Sequence, residues 1–216
     1  MKTKQLILNL FTLTAAVVLA TGCASTGNDK AASTAKSLTK SSHMIVKGSR
    51  LIDQTLAKLN DLVSNPNPDL RKQFDAFNSS VNELGSTALA VACQAKEMKS
   101  QGADYFENWD KETAQIRNED IRHRSEVRQH EVAANFAHIS QQYDETKTAF
   151  EPFMSSLRDV QKFLSTDLTA GGLVAVKEIA AKATKDAVPV KESLTSLSEE
   201  FKKLGTSMSS ASGQIK

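Results

Sequence analysis

The sequence predicts an all-α protein: an elongated antiparallel coiled-coil bundle of about four helices with a long central helical hairpin. Three observations carry this prediction. Apolar residues recur at alternating spacings of three and four from Leu38 almost to the end of the chain, the seam pattern of packed helices. No stretch shows the sustained apolar–polar alternation of a half-buried strand. Nine Gly, four Pro and 6% aromatic residues among 216 are too few for a typical all-β chain, while 40% hydrophobic residues are too many for full disorder.

The amino end reads as an address. Lys2 and Lys4 precede an apolar or small stretch, Leu6–Ala20, followed by Thr21-Gly22-Cys23, the layout of a secretory signal. The stretch is short for a membrane span, which needs about 20 residues. Leu19-Ala20-Thr21-Gly22-Cys23 resembles the bacterial lipobox, although Ala20 stands where leucine is commonest. The resemblance implies that residues 1–22 are a lipoprotein signal peptide, and that Cys23 then carries a diacylglycerol and an amine-linked acyl group. Several acyl chains anchor firmly where one binds marginally. In a diderm bacterium, Ala24 after the cysteine implies a periplasm-facing outer-membrane location. Loss of Lys2 and Lys4 leaves the 25 acidic residues balanced by as many basic ones. A neutral chain gives no electrostatic basis for binding nucleic acid. After Cys23, residues 24–37 are small, polar and aperiodic, and read as a flexible tether reaching about 45 Å.

The helical domain is expected over 38–210, with 211–216 as a disordered tail. Leu38, Ile45, Ile52 and Leu59 lie seven apart. Pro66 and Pro68 end this first helix. Asn67 is expected to cap the second, with Pro68 at its first position and Asp69 at the positive dipole end. The second seam runs from Leu70 and Phe74 to Tyr105, Trp109 and Ile116, and the third from Val132 and Phe136 to Leu164. After a turn-like stretch, 165–172, the fourth runs from Leu173 to Met208, with Pro189 expected to kink it near Lys185. Between the second and third seams, Asn118 is a helix cap followed by two acids. A reversal there sets Gly102, Ala95 and Ala88 level with Phe136, Tyr143 and Phe150, small opposite large. The alternative, one continuous helix over 70–165, would be about 144 Å long. The reversal gives an up-down-up-down rod of roughly 70 Å.

Trp109, Glu112, Ile116, Asn118, Arg122, Ser125 and Arg128, with Phe136, Glu151-Pro152, Leu157, Asp159, Phe163-Leu164 and Asp167-Leu168, resemble a bacterial family known as domain of unknown function 2959. The likeness spans roughly residues 40–210. It implies a secreted or lipid-anchored helical protein and lends no catalytic or binding residue.

Chemistry-bearing motifs are sparse. Cys93, the thiol left once Cys23 is acylated, stands in an apolar run, Ala88–Cys93, and is expected to be buried. His123, Glu126 and His130 share a helix face with Asp120, but the paired Glu-x-x-His units of a di-metal bundle are missing, and Arg122, Arg124 and Arg128 repel cations. No metal, cofactor or enzymatic activity is therefore expected. Residues 117–131 hold four Arg and four acids, so they form no basic nucleic-acid patch. Phe106 falls off the seam and is a candidate for an exposed apolar patch near the tip.

The function expected is a lipid-anchored envelope rod that scaffolds or spaces. A partner-docking tip is expected at Arg117, Arg122, His123, Arg124 and Arg128, meeting an envelope protein. The alternative is a bundle binding a small molecule or lipid, with room near Gly102 and the alanines at 88–95. The pattern assigns no oligomeric state.

Overall fold

The computed structural model describes residues 27–209. They form four helices: α1 (Gly27–Ser64), α2 (Leu70–Ala114), α3 (Glu119–Thr166) and α4 (Ala170–Ser209). Among the described residues there is no strand. The expected signal peptide 1–22, Cys23, residues 24–26 and the tail 211–216 lie outside the described residues. Each helix packs on its two neighbours in chain order, and α4 closes the ring against α1. The four helices therefore occupy the corners of a square. At 48 residues, α3 is about 72 Å long, as the rod requires.

The turns follow from local hydrogen bonding. Asp69, not Asn67, caps α2: its carboxylate accepts from the Lys72 amide at 3.1 Å, and Asn67 Oδ1 accepts from the Asp69 amide at 2.9 Å. Asn67 thus shapes the turn, and Pro68 precedes the helix rather than opening it. Gln73, buried beneath, donates from Nε2 to Asp61 Oδ2 at 2.8 Å and to the Asn65 carbonyl at 3.0 Å. The second and third seams form a hairpin. Asn118 Oδ1 accepts from the Ile121 amide at 3.0 Å, with Glu119 and Asp120 in the first turn of α3. The last turn is shorter than expected. Thr169 Oγ1 accepts from the Gly172 amide at 3.1 Å, so Gly171 and Gly172 belong to α4. Both α3 and α4 remain single helices through Pro152 and Pro189.

The expected tether is corrected as well. Residues 27–37 are not a tether but the first three turns of α1, and Thr34, Ala35 and Ser37 are buried. Smallness here permits close approach instead of flexibility. The Thr34 hydroxyl donates to the Lys30 carbonyl at 2.9 Å, satisfying itself within the helix, and Gln94 Nε2 donates to Ser37 Oγ at 2.9 Å. Further along, Ser42 and Ser198 hydroxyls meet at 2.9 Å between α1 and α4, and Thr55 and Ser80 at 2.7 Å between α1 and α2. Each buried polar group that is paired avoids a desolvation cost of about 1–3 kcal/mol. Low hydrophobicity misled because these residues bury little area yet bring backbones together.

The seams form two apolar cores. One, at the end bearing the α1–α2 and α3–α4 turns, centres on Phe77, Phe153 and Leu157. The other, towards the hairpin tip, centres on Leu38, Met98 and Phe201. Within them, Gly102 abuts Phe136: a Cβ on Gly102 would stand 2.3 Å from the ring's Cζ.

Candidate functional site

Two features of the rod stand out, the hairpin tip and a mid-rod cavity. At the tip, Trp109 Nε1 donates to Ser125 Oγ at 2.9 Å, and Thr113 and Ser125 hydroxyls meet at 2.7 Å. Gln129 Nε2 donates to Asp110 at 2.7 Å. These bonds fix the tip's outer residues on a rigid base. Phe106 is not a free patch: it is half-buried, with its ring 5.7 Å from that of Phe136, edge to face. Burial holds the Tyr105 phenol above its ordinary value, partly offset by the Arg128 charge.

The five candidate docking residues do cluster around this tip. Arg117 lies exposed in the turn. Arg122 is half-buried, pairing with Glu119 at 3.7 Å and donating to the Ile116 carbonyl at 3.4 Å. His123 stands 3.9 Å from Glu126, an ion pair only when the imidazole is protonated. Arg128 pairs with Glu131 at 3.2 Å. Arg117 and Arg124 have no ion pair among the described residues. Beside them Ile121 and Val127 are 56% and 46% exposed, so the tip offers both cations and apolar side chains. Surface ion pairs of this kind contribute little to stability.

The cavity, about 560 Å³, opens between α2 and α3 where the two cores meet. Four seam positions, Ala88, Val91, Phe150 and Leu194, are only half-buried, and all four line it. The expected room is therefore real at Ala88, whereas at Gly102 the Phe136 ring fills it. On the α1 wall, a Cβ on Gly48 would meet nothing within 4 Å. Polar clamps bracket the opening along the α2–α3 seam. On the tip side Lys99 Nζ bonds both Asp144 carboxylate oxygens at 2.9 and 2.8 Å and lies 5.6 Å from the Tyr143 ring centre. On the other side Gln161 bonds Asn78 and Asn82.

Tyr143, 9% exposed, and Thr87, 8% exposed, both line the cavity. Neither hydroxyl makes a hydrogen bond with another described residue. Burial, then the nearby Asp144 and Cys93, hold the Tyr143 phenol above its ordinary value, so it stays a neutral donor near pH 7. Cys93 itself is exposed, contrary to expectation. The apolar run around it covers more than one helix face, and the face carrying Cys93 and Leu89 points outward. At the mouth, Lys147 pairs with Glu151 at 3.8 Å. Arg158 Nη2 lies 3.3 Å from where a Gly85 Cβ would be. Pattern reading missed Arg158 and Gly48. The alanines at 88–95 were the sign of a gap here, and they do not show which helix fails to fill it.

No helix among the described residues is long and apolar enough to cross a membrane. Neither curated proteins nor solved structures give a significant match. The family described as protein of unknown function (DUF2959) matches residues 23–203, more than four-fifths of the chain. The chain therefore belongs to the DUF2959 family.

Proposed function

We propose that this protein is a lipid-anchored, non-enzymatic rod of the cell envelope, held through Cys23, with its hairpin tip against the bilayer and its opposite end held away. The observation that supports this reading is where α1 begins. Gly27 is four residues from Cys23, so the lipid-bearing residue lies within about 14 Å of the bundle even with the chain fully extended. A tether of 45 Å is not available.

The pairing of Ser37 with Gln94 and of Thr34 with Gln101 sets the start of α1 level with roughly residues 104–108 of α2. The hairpin then rises about 10–15 Å further, the same reach as the linker. Arg117 and Arg124 would thus meet lipid phosphates, which guanidinium groups bind well, and Ile121 would meet the apolar boundary. The partner-docking role expected of the tip becomes a membrane-docking role. The turns at 65–69 and 167–169, at the other end, would be what the rod presents to the periplasm.

Cys23→Ser tests the anchor. In a diderm host fed an alkyne fatty acid, the parent chain takes up label and its mature form begins at Cys23. The variant loses the label and accumulates with residues 1–22 intact. An unlabelled parent chain in the cytosol would refute the reading.

A further inference from the structure

We infer that the α2–α3 cavity is a binding site for one long-chain carboxylic acid, with the hydrocarbon inside and the carboxylate on Arg158. The inference does not depend on the lipid anchor. The cavity's 560 Å³ falls within the range of about 300–1,000 Å³ that small-molecule sites occupy. Its walls come from all four helices, and it stands open to solvent between α2 and α3. The half-buried seam positions mark an interruption of the core at one place only between the two end regions. Since apolar walls left facing water are stabilised when they are covered, a hydrocarbon chain completes what the seam leaves open.

The polar groups suit an acid head. Thr87 and, about 22 Å along α3 from Arg158, Tyr143 bring hydroxyls without protein partners to the lining. At the mouth Lys147 is engaged by Glu151, whereas Arg158 lies across the Gly85 flank with no hydrogen bond or ion pair among the described residues. The missing Cβ at Gly85 leaves space for that guanidinium, whose planar fork matches a carboxylate. Asp159 also borders the mouth and makes a cationic head the competing possibility, which the experiment separates.

The probe is a diazirine analogue of oleic acid, photolysed with the purified full-length protein. Label is expected on peptides covering 84–92 and 143–158. Excess oleate should suppress it at least tenfold more effectively than oleyl alcohol or oleylamine. Gly48→Leu fills the cavity from α1, and Ala88→Leu fills it independently from α2. Each should cut labelling at least tenfold with helix content and Tm unchanged or raised. Arg158→Gln should retain labelling but lose the preference for oleate over the alcohol. Label spread equally onto the exposed Val174 and Val188, labelling unaffected by both filling variants, or stronger competition by oleylamine would each overturn the proposal.

Discussion

Phe77→Ala is expected to lower the stability of the bundle by about 3–5 kcal/mol, the usual cost of truncating a fully buried aromatic. Phe77 is 0% exposed in the core at the far end of the rod, between Leu59, Val81 and Leu157 in the same cluster. The loss has two parts: apolar area returned to the unfolded reference, and a void that long helices, braced on two sides each, relax into poorly. For a domain of this size the shift in Tm would be about 6–20 °C. Val174→Ala, at a position 73% exposed, should stay within about 0.5 kcal/mol. Thermal unfolding followed by circular dichroism reads both. Equal effects of the two substitutions would mean that the buried seam is misplaced.

Gly102→Ala is the second large effect, and its sign runs against helix propensity. In an exposed helix interior this change stabilises by about 1 kcal/mol. Here the added methyl would lie 2.3 Å from Phe136 Cζ and within 2.8 Å of two further ring atoms. The Phe136 ring also packs on Phe106, so it cannot swing aside freely. Overpacking of this kind costs about 1–3 kcal/mol. Adding Phe136→Leu should recover most of the loss, and the two changes should be strongly non-additive in a double-mutant cycle. Gly102→Ala that raises Tm would show that α2 and α3 do not approach here. The contrast with Gly48, where a larger side chain meets open space, makes the two glycines a matched pair.

The outline of the fold was readable because seam spacing is a property of the chain. Leu38, Ile45, Ile52 and Leu59 announced their burial, and Asn118 with Glu119 and Asp120 announced the hairpin. What escaped was decided by neighbours that spacing does not reveal. Residues 27–37 looked like linker, since Ser and Thr contribute little apolar area; their helix is held by α2 and α4 and by hydroxyls bonded across the interfaces. Cys93 looked buried because the run around it is apolar on every side, and only the packed bundle shows which side faces out. Of the site, the tip residues were legible from charge and cap signals. The cavity was legible only as a run of small residues. Whether a small residue receives a ring, as Gly102 receives Phe136, or leaves a space, as Gly48 does, depends on the partner helix.

The central claim is that anchor and hairpin tip share one end of the rod. It is tested by placing a fluorophore at Arg124→Cys or at Asn67→Cys, each in a Cys93→Ser chain that keeps Cys23 acylated, and measuring quenching by lipids brominated near the headgroup. The account predicts strong quenching at position 124 and none at 67, which lies a helix length, about 70 Å, further out. Quenching at 67 with none at 124 would contradict it.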